Sequence, residues 1–228
     1  MRAVLAVSSH LDDCVLSMGQ MLAGRSDVTV ATVFAGTPDT KTVLTSYDLS
    51  TGFKTAQEAM ESRRREDIEA LSVLGAKHRH LDFHDSQYGF KLDTAELVKQ
   101  LRRLIEELDP EFVLIPLGVA HPDHEAVRDA ALAAVNTSVL HPPVWAYEDL
   151  PARVLWPEVV HKVVHNLGKR GITLELGFVG TGPESSKLNA LWCYRSQMGL
   201  PEFANRHAML VPERFHKIIR AVTPEEQE

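Results

Sequence analysis

The feature that most constrains this chain is an alternation of short apolar runs with segments of helical period. Residues 3–8 (AVLAVS) form a continuous apolar run ending in polar residues, and Val15, Leu16, Met18, Met21 and Leu22 then recur at helical spacing up to Gly24. A second, β-branched run spans 28–35. Residues 54–74 return to helical period through Ala59, Ile68, Leu71 and Leu74 with Gly75 as the stop, and 93–108 repeat it through Leu97, Leu101, Leu104 and Leu108. Short runs at 80–83 and 112–117 (FVLIPL) lie between and after these helices, the latter fully apolar, as a strand buried on both faces would be. Strands alternating with helices imply a parallel sheet, so the expected fold is α/β: an open, mostly parallel sheet with helices on both faces. With 228 residues, 44% of them hydrophobic, one large domain over 1–228 is expected. Residues 1–137 form its core, and 138–228 complete the site. That last part reads as strand-like runs at 158–164 and 172–178, a helix near 184–194 and a glutamate-rich tail.

Residues 36–52, rich in Gly, Thr, Ser and Asp, are too long for an ordinary connection. They read as a lid or binding loop that sets substrate preference and packs no core. A net charge of -7 argues against nucleic acid as a partner, because binding a phosphate backbone needs clustered Lys and Arg. The first apolar run stops at Ser8, shorter than a signal-peptide core and far shorter than a membrane span, so a cytoplasmic protein without membrane insertion is expected. Cys14 and Cys193 read as reduced, buried small hydrophobes. Homo-oligomerisation is left open.

Chemistry concentrates in two clusters. His10-Leu11-Asp12-Asp13 ends the first strand, and His121-Pro122-Asp123-His124 follows the 112–117 strand after a short loop. Ligands of an open parallel sheet bind at the carboxyl ends of its strands, where the strand order reverses. An imidazole and a carboxylate from the first cluster with an imidazole from the second make a His-Asp-His set that suits zinc and leaves a position open for water. Each cluster alone has a plainer explanation: Asp12 or Asp13 could cap a helix, and Pro122 with Asp123 and Glu125 suits a first helical turn. Two such clusters at one rim favour the metal.

These residues resemble the LmbE-like family of zinc amidases, to which N-acetylglucosaminyl-phosphatidylinositol de-N-acetylase belongs. The resemblance rests on Ser9-His10-Leu11-Asp12-Asp13, on Arg63-Arg64-Arg65-Glu66 with Ala70 and Leu74-Gly75, on His121-Pro122-Asp123-His124, and on Lys187 followed by Tyr194-Arg195-Ser196-Gln197. It implies a Rossmann-like fold, His10, Asp13 and His124 as zinc ligands, Asp12 as general base, and His121 as the imidazole that stabilises the transition state or protonates the amine. The activity implied is zinc-dependent removal of acetate from a small N-acetylated sugar. Arg63 is implied as a sugar contact. Asp85 could bond sugar hydroxyls or merely cap a turn, Asp123 would orient an imidazole from behind, and Ser196 and Gln197 would hold a loop.

Two positions depart from the family pattern: Leu11 where proline is usual, which loosens the turn, and Cys14 where glutamate is usual, which could offer a soft ligand. His78, His80 and His84 carry no metal in this reading, because alternation puts 78 and 80 on one face of an edge strand beside Arg79. In the chemistry implied, Asp12 accepts a proton from water and a cationic His121 stabilises the oxyanion. A larger acyl amide or an ester is the rival substrate, and a zinc- or sugar-binding module without turnover is the non-enzymatic rival. A nicotinamide dehydrogenase is excluded, since an acidic turn stands where a glycine-rich phosphate cradle would be.

Overall fold

The first apolar run forms the central strand of a sheet, all five of its residues buried, in a computed structural model that describes residues 2–39, 41–180, 182–200 and 205–220. In chain order the elements are β1 (Val4–Ser8), α1 (Asp13–Leu22), β2 (Val28–Thr32), α2 (Ser46–Ser50), α3 (Ala56–Leu74), β3 (Lys77–His80), α4 (Thr94–Leu108), β4 (Phe112–Pro116) and α5 (Pro122–Thr137). There follow β5 (Val144–Tyr147), α6 (Ala152–Leu155), α7 (Pro157–Lys169), β6 (Ile172–Gly180), α8 (Glu184–Leu191), α9 (Arg206–Leu210) and β7 (Glu213–Arg220). The helix ends follow local chemistry. Thr55 accepts the Glu58 N–H at the start of α3, Gly75 closes that helix at φ 78°, and Asp93 accepts the Glu96 N–H at the start of α4.

The seven strands lie in the order β3-β2-β1-β4-β5-β7-β6, with β3 to β5 parallel and β7 antiparallel to both of its neighbours. Successive strand residues feed two cores, because side chains alternate across a sheet. Leu5, Val7, Val113 and Ile115 pack under α4, α5 and α7, whereas Val4, Ala6, Val30 and Leu114 pack under α1, α3 and α8. Helices therefore cover both faces, as expected. The chain order reverses between β1 and β4, which opens a crevice beyond their carboxyl ends.

Several expectations change. Residues 158–164 lie in helix α7, not in a strand: Pro157 suits a first helical position, and Val159, Val163 and Leu167 recur one turn apart against the core. Their β-branched content had pointed the other way. The third strand is 77–80 rather than 80–83, Asp82 making only an isolated bridge to Phe34. Strands β5 and β7 went unforeseen, and β6 and the helix at 184 fall close to expectation. Residues 36–52 contain a short helix, α2, and a fully buried Asp48, so this segment does pack. The glutamate-rich tail lies outside the described residues. Among the described residues, no helix is long and apolar enough to cross a membrane.

The C-terminal part is tied to the first helix by a buried ion pair. Lys187 Nζ on α8 lies 2.9 Å from Glu213 Oε1 at the head of β7, both side chains fully buried. The Glu213 carboxylate also accepts the N–H groups of Gln20 and Met21 at 2.8 and 2.9 Å, just past the break in α1 at Met18 (φ −144°, ψ 21°).

Candidate metal centre

The turn from β1 into α1 sets the first half of the site. Ser8 Oγ donates to the His10 carbonyl at 2.8 Å and accepts the Cys14 N–H at 3.2 Å, while Asp13 Oδ2 accepts the His10 N–H at 2.8 Å. From the other side, Gln197 Nε2 donates to the Leu11 carbonyl at 3.2 Å. A turn without proline is thus held by four hydrogen bonds. Asp12 precedes α1 but makes no side-chain cap, so capping does not account for it. Its φ of 152° lies in a region that favours glycine, a strain of order 1–3 kcal/mol of the kind found at functional sites.

The second half comes from the start of α5, where Pro122 occupies the first turn and His121 Nδ1 accepts the Asp123 N–H at 3.2 Å. His124 then faces β1. Its Nε2 lies 3.2 Å from His10 Nδ1 and 3.1 Å from Asp13 Oδ2, and His10 Nδ1 is 3.3 Å from the same oxygen. Each imidazole is held at its far nitrogen by a carboxylate: His10 Nε2 by Asp123 at 3.1 Å and His124 Nδ1 by Asp149 at 2.9 Å. Asp149 is fixed in turn by the N–H groups of Gly118 and Val119, both at 2.9 Å.

Three donor atoms this close need a proton or a cation between them. Burial opposes charge on His10, but the carboxylates of Asp123 and Asp13 outweigh it and hold its pKa well above the usual imidazole range. Burial likewise opposes charge on His124, and Asp13 and Asp149 raise it to about 10. Burial favours the neutral acid at Asp13, yet His124 and His10 hold its carboxyl well below the usual range. A pocket that draws positive charge to two imidazoles around one carboxylate fits a divalent metal, and His10, Asp13 and His124 could hold it. A second group, His10, His121 and Asp123, is also close enough to bind an ion.

His10, Asp12, Asp13, His121, His124, Arg63 and Asp85 all line one open cavity of about 370 Å³. Burial and the adjacent Asp13 push the Asp12 carboxyl well above its usual range, as suits a proton acceptor. Burial and the imidazoles of His10 and His124 lower the pKa of His121, which works against a cationic ring. Arg63 is buried: Nη2 pairs with Asp48 Oδ1 at 2.7 Å, and the guanidinium lies 4.9 Å from the Tyr47 ring centroid. Asp85 caps a turn by accepting the Gln87 N–H, and it lines the cavity 4.0 Å from His10 Nε2. Glu66 holds the C-terminal motif by accepting from Ser196 N and Oγ at 3.0 and 2.7 Å.

Other candidates fall away. Cys14 and Cys193 are free and buried, and burial pushes the Cys14 thiol far up, so the soft-ligand reading is not supported. Among the described residues no metal group includes His78, His80 or His84. His80, however, is not edge surface: its buried ring contacts Asp67 Oδ2 at 2.7 Å, and Asp67 Oδ1 accepts the Tyr194 hydroxyl at 2.8 Å. Asp149 and Tyr47 are the site residues that sequence reasoning missed. The signal for Asp149 was its place just past the run Val144–Tyr147, at the same sheet edge as the two motifs.

A reversal-point crevice with a His-Asp group that could hold a metal marks an α/β protein with a candidate metal centre. Residues 5–135 match the family model described as GlcNAc-PI de-N-acetylase (PIG-L), and the chain belongs to that family. A diacetylchitobiose deacetylase of Thermococcus kodakarensis is 29% identical over 152 residues, covering 61% of this chain and 54% of that protein. The chain thus spans about half the length of the curated relatives it matches. A triple mutant of a deacetylase of the teicoplanin biosynthetic pathway superposes with a TM-score of 0.82 at 31% identity, over 97% of this chain and 99% of that one. The zinc-inhibited form of a teicoplanin deacetylase superposes with a TM-score of 0.81 at 29% identity over the same shares.

Proposed function

We propose that this chain is a zinc-dependent hydrolase that removes the acetyl group from a small N-acetylated amino sugar or its glycoside. The observation that carries this is the convergence of His10 Nδ1, Asp13 Oδ2 and His124 Nε2 in one cavity, with Asp12 and His121 beside them. Membership of the family, and relatives named as deacetylases, support it.

Two imidazoles and a carboxylate with an open position suit zinc. Bound there, zinc would supply Lewis-acid polarisation of the amide carbonyl and would acidify water. Asp12 takes the proton from water as its oxygen bonds to the acetyl carbon. The same proton passes from Asp12 to the sugar nitrogen as the C–N bond breaks, so a free amine and acetic acid leave, the acid then giving its remaining proton to water to become acetate. Because His121 Nδ1 accepts the Asp123 N–H, the ring proton of neutral His121 sits on Nε2 and can donate to the developing oxyanion. Asp123 and Asp149 keep His10 and His124 oriented. Asp85 accepts hydrogen bonds from sugar hydroxyls, and Arg63, its charge already met by Asp48, supports the Tyr47 wall of the cavity.

The test is acetate release from N-acetylglucosamine and diacetylchitobiose by protein carrying one equivalent of zinc. Chelation should abolish release, and added zinc or cobalt should restore it. Full turnover by metal-free protein would sink the proposal.

A further inference from the structure

A second cavity, of about 420 Å³, lies along the open edge of the sheet between α3 and α4, and no residue lines both it and the metal cavity. Arg64 reaches it from α3, while Lys77, His78, Arg79 and His80, the whole of β3, line it from the sheet. That strand is an end strand, paired only with β2. Alternation puts His78 and His80 on one face, with ring centroids 5.3 Å apart, and Lys77 and Arg79 on the other. In a chain of net charge -7, this gathering of basic side chains runs against the composition. Arg79 is met by Glu107 at 2.9 Å and His80 Nε2 by Asp67 at 2.7 Å. Among the described residues no carboxylate pairs with Arg64 or Lys77, and Arg64 gives one donor to the Ala35 carbonyl, which leaves most of its fork free. His80 Nδ1 is buried and has no hydrogen-bonding partner there. Charged side chains on an edge strand also deter stray strand pairing, but that role needs only the strand itself. It explains neither a cation brought in by a helix nor a cavity beside it.

We infer that this edge cavity binds the phosphate group of a small phosphorylated molecule, held by Arg64, Lys77 and His78. The inference is independent of the reading of the metal centre. The guanidinium fork of Arg64 matches the spacing of phosphate oxygens, and the Lys77 ammonium adds a point charge to a dianion. Burial and the neighbouring His80 hold His78 below the usual imidazole range, so it serves as a neutral N–H donor and the charge comes from the other two. As an end strand, β3 also turns unpaired backbone N–H groups outward. A cleft lined by one sign of charge concentrates ions of the other. The volume falls in the range of about 300–1,000 Å³ typical of small-molecule sites, and Ile68 and Leu108 offer an apolar wall to the rest of the ligand.

The test is calorimetric titration of the zinc-loaded protein with glucose 6-phosphate and with inorganic phosphate, repeated on Lys77→Gln, Arg64→Gln and Lys169→Gln. The last removes an exposed charge on α7, away from the cavity. The parent should show one saturable step per chain, with glucose 6-phosphate binding at least as tightly as phosphate. Lys77→Gln and Arg64→Gln should each weaken it about 10–100-fold, the scale of a lost hydrogen bond to a charged group, and Lys169→Gln should leave it unchanged. The ring signals of His78 in nuclear magnetic resonance spectra should move along the same saturation curve. Lys77 is exposed, so Lys77→Gln decides the matter even if loss of the Arg64 bond to Ala35 prevents folding. Four results would overturn the inference: no saturable step, a step that Lys77→Gln leaves intact, an equal loss in Lys169→Gln, or binding of phosphate with glucose 6-phosphate excluded. A step intact in Lys77→Gln would place the phosphate elsewhere, such as at the metal centre.

Discussion

Asp12 and Asp13 are adjacent residues of the same chemistry, yet the turn gives them opposite environments. Asp13 is held ionised by two imidazoles, whereas Asp12 is pushed toward its neutral form by burial and by Asp13. On the proposed reading they should fail differently. Asp13→Ala should lose most bound zinc, because two imidazoles remain without their anionic partner. Asp12→Asn should keep zinc while turnover drops about 10²–10⁴-fold, the usual scale of a lost general base. Zinc content and acetate release on both variants decide it: an Asp12→Asn protein that is metal-free, or one that turns over normally, would reverse the assignment. Asp149 makes a separate case, since it touches the site only through His124 Nδ1. Asp149→Asn should lower zinc affinity about 10–100-fold while leaving the tight stoichiometry at one, and an unchanged affinity would remove Asp149 from the site. The two His/Asp motifs were legible because they combine ligand residue types with strand ends. Asp149 was not, because it stands outside any motif and follows a strand of only four residues.

At the scale of elements, the first half of the chain was readable because its helices are long and capped and its strands are apolar runs buried on both faces. The second half was harder for identifiable reasons. The valines of α7 favour strands locally, and only the one-turn spacing of Val159, Val163 and Leu167 against the core settles the helix. Strand β7, ERFHKIIR, alternates weakly in sequence, and its first residue, Glu213, is a charge that only the buried Lys187 and the broken α1 make intelligible. A second buried cluster ties β5, α6 and β7: Glu148 lies 2.7 Å from His216 and 3.1 Å from Arg153. Burial works against the Glu148 carboxylate, but His216 and Arg153 outweigh it and hold its pKa below the usual carboxylate range. A depressed acid contributes stability that is present above its unfolded pKa and lost as pH falls through the folded one. Glu148→Gln should therefore cost about 3–5 kcal/mol near neutrality, the scale of breaking a buried pair, with the deficit shrinking as pH drops below about 4.5. Denaturant melts of variant and parent across pH 3–7 measure this, and a deficit independent of pH would show that the charge of Glu148 is not what stabilises the cluster.

For the whole molecule, the crevice between β1 and β4 is where the two halves of the proposed metal set approach from elements that no continuous backbone joins locally. His10 and Asp13 come from the β1–α1 turn, and His124 comes from α5, across the reversal point of the sheet. Asp12, Asp13, Asp85 and Asp123 also gather there, a concentration of negative charge that a cation relieves. An ion bound by the folded state alone stabilises it by RT ln(1 + [L]/Kd), about 2.7 kcal/mol when free metal is 100 times Kd. In a chain of 228 residues each kcal/mol moves the melting temperature by about 2–4 °C. Chelation should then lower the melting temperature by about 5–10 °C, and restoring zinc should reverse the loss. Asp13→Ala should start near the chelated value and respond to neither treatment, whereas Asp12→Asn, which keeps the ligand set, should respond like the parent. Calorimetric scans of the three proteins with chelator and with zinc provide the comparison. A parent protein indifferent to chelation, or an Asp13→Ala protein that gains as much from zinc as the parent, would mean that these strand ends are not joined through a metal.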